Sequence, residues 1–169
     1  MKLILLAALI FMSGCSAKTS EEDLKVKAIS TFASTLVDAL KPSDATAYQS
    51  IWVRSGDEFA DINGRPLLVS IPVKEEAFQK PEEIVSGFKK EREKMLAYLG
   101  YDLGKLQALE TDYTIKNDPM AKQSRLFQFE LRITLKNGEH SCVLVQPSCV
   151  MTKRGIVIGD YFIVQDPSK

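Results

Sequence analysis

The chain of 169 residues is poor in the residues on which many enzymes and metal proteins depend. It has one histidine, three cysteines and one tryptophan. A lone histidine has no second imidazole with which to share a metal ion. The sequence also has no Gly-x-Ser-x-Gly turn, no phosphate-binding glycine loop, no EF-hand loop and no zinc-ligand spacing. We therefore expect neither a metal or other cofactor nor a common hydrolase or nucleotide-binding site.

An excess of charge of either sign is also lacking. The chain carries 22 basic and 22 acidic residues, so its formal net charge is zero. A neutral chain has no net field to attract nucleic acid or anionic lipid headgroups. The charged run Lys89–Lys94 contains both signs, which is typical of the solvated face of a helix. We therefore predict no nucleic-acid partner.

The third absence is a long hydrophobic run. The longest apolar stretch, Leu3–Met12, has about 10 residues, whereas a spanning helix needs ~20. Lys2 precedes this stretch and Ser13-Gly14-Cys15 follows it, which is the pattern of a secretory signal peptide. One alternative is an ordinary secreted protein in which the cysteine occurs by chance.

The segment Met12-Ser13-Gly14-Cys15 resembles the bacterial lipobox, with Met12 where leucine is usual. The resemblance implies cleavage between Gly14 and Cys15 and lipidation of Cys15, which would anchor the protein to a membrane. Ser16, in place of aspartate, implies sorting to the outer membrane, facing the periplasm. On this basis residues 1–14 are a signal peptide, 15–20 are the lipidated cysteine with a short tether, and 21–169 are a single domain.

Amphipathic helices are predicted in the first half of the domain. Capping boxes at Thr19 and Ser20 precede apolar residues at spacings of three and four, and Lys41-Pro42 ends this helix. Ser43 or Asp44 can cap a second, shorter helix that closes at 55–56. Pro81 begins a third, which Gly100 ends. The buried positions predicted for these helices are Leu24, Ala28, Ile29, Phe32, Ala33, Leu36, Val37, Leu40, Tyr48, Ile51, Trp52, Ile84, Val85, Phe88, Met95, Tyr98 and Leu99.

Antiparallel strands are predicted in the last third. Residues 109–115 and 127–135 alternate between apolar and polar, which indicates strands with one wet face. Residues 140–152 form a third strand with a bulge near Pro147, and 156–164 a fourth that bends at Gly159. Before them, Asn63-Gly64 predicts a turn, followed by an edge strand or irregular arm at 67–73. The fold class predicted is α+β, with N-terminal helices on a curved antiparallel sheet of four or more strands.

The order of these elements resembles the nuclear-transport-factor-like, cystatin-like cone superfamily. The closing segment Gly155–Val164 (Gly-Ile-Val-Ile-Gly-Asp-Tyr-Phe-Ile-Val) and the helix end Tyr98-Leu99-Gly100 are similar to those of small lipoprotein domains in that group, although the usual tryptophan of the closing strand is absent. The resemblance implies a cone-like sheet with a cavity. Its members include enzymes, assembly domains and binding modules, and some form homodimers, so the fold does not decide the activity.

A few polar and aromatic residues are candidates for chemistry in such a cavity. Tyr113 is predicted to point inward and Asp112 outward, and Asp160-Tyr161 can reach a cavity from a strand. Tyr48 and Trp52, near Phe59, either line a ligand cavity with Tyr113 or belong to the core. His140 is predicted to be a solvated residue at a strand end.

The state of Cys142 and Cys149 has two alternatives. An oxidising envelope favours a disulfide, which a tight hairpin at 142–149 would allow. If residues 140–152 are one strand, the two cysteines are ~23 Å apart at 3.3 Å per residue and cannot bond. They would then be buried free thiols.

The function predicted is that of a membrane-anchored bacterial envelope lipoprotein that binds a protein partner or a small ligand and is not an enzyme. Two alternatives stay open. One is a periplasmic immunity or inhibitor lipoprotein that neutralises a toxin or hydrolase. The other is a cone-fold enzyme of the dehydratase or isomerase type, which requires an ionisable group at the floor of a deep pocket.

Overall fold

Helices come first along the chain and strands follow, as the sequence predicts. A computed structural model describes residues 20–54, 56–67, 79–116 and 126–167. Within these ranges the elements are α1 (Glu21–Leu40), α2 (Thr46–Ser50), α3 (Pro81–Leu99), β1 (Gln107–Ile115), β2 (Gln128–Asn137), β3 (His140–Thr152), β4 (Gly155–Ile158) and β5 (Ile163–Gln165). The predicted α+β class is confirmed.

The long helices begin and end where local signals predict. Ser20 Oγ accepts from the backbone N–H of Asp23 at 3.1 Å, and the Asp23 carboxylate accepts from the Ser20 N–H at 3.1 Å, which completes a capping box. α3 begins at Pro81 and ends at Gly100, whose φ is +80°. Two predicted positions in α3 differ: Tyr98 is 40% exposed, with Leu96 buried instead, and Val85 is half-buried.

α2 is shorter than predicted. It ends at Ser50 because the chain then turns into the sheet: Val53 N donates to Ile158 O, and Ile158 N donates to Ile51 O, both at 2.9 Å. The predicted turn at Asn63-Gly64 is confirmed, since Gly64 has a φ of +73° and its N–H donates to Asp61 O at 2.9 Å. The arm predicted at 67–73 lies, after Leu67, outside the described residues.

β3 is the central strand of an antiparallel sheet whose order is β1-β2-β3-β4. β2 pairs along one side of β3, while β4 and β5 share the other side. The alternation predicted for β2 is confirmed, because its core-facing residues are fully buried against the helices: Phe129, Leu131, Ile133 and Leu135. The core therefore lies between the two long helices and one face of the sheet.

The predicted fourth strand is two strands in the structure. β3 has the predicted bulge: Leu131 pairs with Gln146 and Phe129 with Cys149, so two residues of β3 have no partner of their own. Opposite this bulge, the segment that pairs along the other side of β3 leaves the regular strand pairing. Gly159 N donates to Ser148 O at 3.0 Å, and Gln146 Nε2 donates to Asp160 O at 2.7 Å. The bulge thus separates β4 from β5.

β1 is the edge strand on the other side, and it is less buried than its alternation predicts. Thr111, Tyr113 and Ile115 pair with core-facing residues of β2, so the predicted phase is correct. They remain largely accessible because the helices cover this edge incompletely. A register shift between Ala108 and Glu110 makes Leu109 an extra residue, and its side chain is 53% exposed.

Candidate functional site

An open apolar groove of about 640 Å³ lies between α1 and the turn that joins β3 to β4. We call it the α1 groove. The wall from α1 consists of Leu24, Lys27, Ala28, Thr31, Phe32 and Thr35. The opposite side consists chiefly of Ser50, Ile51, Ile62, Met151, Arg154 and Ile156. This volume is within the range of sites that hold small molecules.

The spacing of residues in α1 explains its side of the groove. Leu24, Ala28, Thr31 and Thr35 recur at intervals of four, three and four, so they form one stripe along the helix. That stripe runs beside the fully buried stripe, and Leu24 and Ala28 are therefore half-buried rather than buried. Two residues predicted to belong to the core thus line a surface groove.

The hydroxyl groups in the α1 groove are bonded to the backbone. Thr31 Oγ1 donates to Lys27 O at 2.9 Å, Thr35 Oγ1 to Thr31 O at 3.1 Å, and Ser50 Oγ to Ala47 O at 2.6 Å. The residues that line the groove include no carboxylate, histidine or cysteine. The Thr31, Thr35 and Ser50 hydroxyl protons are therefore engaged by the backbone, and the charged groups of the lining are Lys27 and Arg154.

Arg154 holds the far wall of the groove in place. Its guanidinium binds Asp57 in two places, with Nε to Oδ1 at 2.6 Å and Nη2 to Oδ2 at 2.8 Å. It also donates to the carbonyl oxygens of Ser50, the last residue of α2, and of Trp52, in the loop after it. The turn between β3 and β4 is thereby joined to α2 and to the loop after it.

The Asp57 carboxylate is ionised in this arrangement. Partial burial raises its pKa, but the hydrogen bonds from Arg154 and from the Arg54 N–H, together with the two positive charges, outweigh burial. The net pKa of Asp57 is lower than its ordinary value of 3.8. Arg154 is accordingly neutralised by a partner at the rim of the groove.

The residues predicted to line a cavity do not come together. Tyr48 and Trp52 are 0% and 2% exposed and belong to the core, where the Tyr48 ring contacts Phe88 and Phe162 at centroid distances of 4.9 and 5.7 Å. Burial raises the pKa of Tyr48. Of the two alternatives for Tyr48 and Trp52, the core is correct.

Tyr113 lies away from Tyr48 and Trp52, near the protein surface. Its ring contacts Phe129 at 6.3 Å, and its hydroxyl donates to Glu22 Oε1 at 2.6 Å. This hydrogen bond and partial burial raise its pKa. Asp112 is exposed, as predicted, and so is His140 at the start of β3. These residues share no site with the α1 groove.

Tyr161 lies across α3. Its hydroxyl donates to Glu83 O at 2.8 Å, and its ring contacts Trp52 at 5.1 Å. Gly87 makes this possible, because a Cβ at that position would lie 2.1 Å from the ring. Tyr161 therefore packs on a helix and does not face a cavity.

Cys142 and Cys149 are free, buried thiols. Both lie on β3, where they pair with Leu135 and Phe129 of β2, so the single-strand alternative applies and the disulfide does not form in this structure. Burial raises the pKa of Cys142 to about 12 and that of Cys149 further still. Gly14 and Cys15, the predicted cleavage and lipidation site, lie outside the described residues.

The α1 groove itself was not predicted as a site. A stripe of threonines next to an apolar stripe in α1 is visible in the sequence. The opposite side, however, combines residues 50–62 with Met151, Arg154 and Ile156, which are more than a hundred positions away. Within the described ranges no cluster of three or more potential ligands could hold a metal ion. No helix among the described residues is long and apolar enough to cross a membrane.

Comparisons of the chain with protein-family models, with curated proteins and with solved structures gave no significant match. The resemblances to the lipobox and to the cone superfamily stay predictions from the sequence.

Proposed function

We propose that this protein is a bacterial envelope lipoprotein, anchored through Cys15, which binds its ligand in the α1 groove without catalysing a reaction. The observation that carries this proposal is the groove itself, a concave surface with apolar walls. A lining without an acid–base pair or an activated nucleophile supports binding rather than turnover.

The length of the tether supports a site close to the membrane. Residues 16–20 separate Cys15 from the first residue of α1. Even fully extended, five residues reach only ~18 Å. The α1 groove begins at Leu24, one turn into the helix, so a lipid on Cys15 would hold the near end of the groove beside the bilayer. The residue after the cysteine, Ser16, favours the outer membrane, facing the periplasm.

Photocrosslinking from inside the groove tests the proposal. A photoreactive phenylalanine analogue is placed at Ile156, a half-buried lining residue, in the full chain expressed in a bacterial envelope. The matched control carries the analogue at Tyr101, which is 87% exposed and does not line the groove. We expect adducts from position 156 that are absent from position 101. Equal labelling at both positions would refute a binding role for the groove.

The chemical class of the adduct then distinguishes the ligands. A single protein partner would favour the immunity or inhibitor alternative, and a lipid or small molecule would favour a ligand-binding module. The variant Cys15→Ser tests the anchor separately: we expect it to lose incorporation of radiolabelled palmitate. Palmitate that is still incorporated into the Cys15→Ser variant would contradict anchoring through Cys15.

A further inference from the structure

We propose that the α1 groove binds one long-chain fatty acid, with its hydrocarbon chain along the apolar walls and its carboxylate at Lys27. This inference rests on the proposed function and names the ligand of the same site. The evidence is the composition of the groove, its length, and the state of each charged group around it.

The walls suit a single hydrocarbon chain. Apolar side chains line both sides along the groove: Leu24, Ala28, Phe32, Ile51, Met151 and Ile156. From Lys27 to Thr35 the α1 wall is ~12 Å long at 1.5 Å per residue, so a chain of 16 carbons would lie bent within the volume of about 640 Å³. The Thr31 and Thr35 hydroxyl protons are bonded to backbone carbonyls, so these residues present mainly their methyl groups to a chain.

The charge of the lining favours an acid over a neutral lipid. Two cations, Lys27 and Arg154, line the groove, and no carboxylate does. Arg154 is neutralised by the bidentate bond to Asp57. Lys27 is therefore the cation that a ligand would pair with.

The groups around Lys27 leave its ammonium available. Lys25, on the same helix, forms ion pairs with Glu21 at 3.0 Å and Glu22 at 3.7 Å. Among the described residues, Lys27 forms no ion pair within 4.0 Å. Asp23 is one turn earlier, and its carboxylate is engaged by the N–H of Ser20 at 3.1 Å and the hydroxyl of Ser20 at 2.7 Å.

The position of Lys27 sets the direction of the ligand. Lys27 is three residues from the start of the lining and eight from its end at Thr35, so the cation lies nearer the end where α1 begins. A carboxylate at Lys27 would place the hydrocarbon chain toward Phe32 and the turn between β3 and β4. With Cys15 anchored, a fatty acid leaving the bilayer would meet this end first.

Equilibrium binding of two ligands tests the inference. The protein is the full chain carrying Cys15→Ser, so that no covalent lipid competes. The probes are radiolabelled palmitate and hexadecanol, which have chains of equal length and differ in charge. We expect one equivalent of palmitate to bind, and hexadecanol to bind about tenfold more weakly, as for loss of one charge-assisted contact.

Three variants assign the binding to the groove. Lys27→Gln is expected to weaken palmitate about tenfold and leave hexadecanol unchanged. Lys25→Gln, the matched control on the same helix, makes the same change in net charge outside the lining and should leave both affinities within about twofold. Ala28→Leu adds three carbons to the α1 wall and should weaken both ligands at least about tenfold, with circular dichroism confirming that the variant is folded.

Each contrary result has a distinct meaning. Equal affinity for palmitate and hexadecanol, unchanged by Lys27→Gln, would overturn the assignment to a fatty acid while leaving the proposed groove in place. Tighter binding of a lysophospholipid than of palmitate would overturn it in favour of a membrane lipid. Binding that Ala28→Leu leaves unchanged would overturn the site. Failure of the proposed function appears separately, as equal crosslinking from positions 156 and 101.

Discussion

Removing Arg154 should destabilise the whole domain, because this side chain joins two parts of the fold that are distant in sequence. Arg154 donates two hydrogen bonds to Asp57 and one each to the carbonyl oxygens of Ser50 and Trp52, at and just after the end of α2. In Arg154→Met the apolar stem remains, but the Asp57 carboxylate, only 9% exposed, keeps the Arg54 N–H alone. Leaving a largely buried charge without its partner costs about 3 kcal/mol.

The assay is thermal and urea unfolding of the variants at pH 7. For a domain of this size a loss of about 3 kcal/mol corresponds to a fall in Tm of about 6–12 °C. A double-mutant cycle with Asp57→Asn isolates the pair, and we expect a coupling energy of about 2 kcal/mol. The pair Glu58–Lys153 is a matched control. Glu58 follows Asp57 and Lys153 precedes Arg154 in the sequence, but the two side chains are 57% and 48% exposed. Its coupling should stay below about 1 kcal/mol.

The free energy of unfolding should also depend on pH through Asp57, in a direction that follows from its pKa. The pKa of Asp57 is lowered in the folded protein, so the folded state favours the ionised carboxylate. Its contribution to the free energy of unfolding is present above the ordinary value of 3.8 and is lost as the pH falls through the lowered folded pKa. Asp57→Asn should remove that part of the acid sensitivity. Two results would refute a buried pair of Arg154 and Asp57. One is a coupling energy no larger than that of Glu58–Lys153, and the other is a loss of stability at acid pH that Asp57→Asn leaves unchanged.

Three further predictions concern the core. Gly87→Ala should lower the free energy of unfolding, because the new Cβ would clash with the Tyr161 ring. In a Tyr161→Ala background the clash is gone, and the same substitution should raise the free energy of unfolding by about 1 kcal/mol, since alanine favours the helix more than glycine does. Thermal melts that show the same sign in both backgrounds would contradict this contact. Asn137→Asp should lower the free energy of unfolding by about 3 kcal/mol at pH 7, since the amide of Asn137 donates to Leu99 O and Asp102 O and a carboxylate cannot. The loss should be smaller at pH 4, where the introduced carboxyl group is protonated. Equal shifts of the urea midpoint at the two pH values would count against this role. In the folded Cys15→Ser chain, Cys142 and Cys149 should resist a thiol reagent at pH 8, because burial raises the pKa of both thiols. In urea without reductant both thiols should react. Fewer than two reactive thiols in urea would indicate a disulfide.

Elements whose signal is local could be predicted from the sequence. The Ser20 capping box, the proline at the start of α3 and the alternation in β2 each depend on residues within one turn or one strand, and the structure places all three as predicted. Predictions failed where a distant partner decides. α2 ends early because Ile51 and Val53 pair with Ile158, and the fourth strand divides because the bulge in β3 faces it.

The candidate site shows the same limit. Periodicity in α1 identifies Leu24 and Ala28 as apolar positions but cannot say whether another element covers them. Burial of Tyr48 depends on Phe88 and Phe162, which come from α3 and from the loop before β5, and the Trp52 ring contacts Tyr161 of that loop. Whether Tyr48, Trp52 and Tyr113 share a cavity depends on packing between elements, for which a single sequence has no signal.

The edge strand β1 bears on how the protein avoids aggregation. Among the described residues β1 pairs with β2 alone, and no described strand lies along its other edge. An antiparallel copy centred on Thr111 would place Glu110 of each strand opposite Asp112 of the other. Like charges directly opposite each other destabilise strand pairing, and charged side chains on exposed edges are a common protection against fibre formation. The two acids thus oppose growth of the sheet from one molecule into the next in that register.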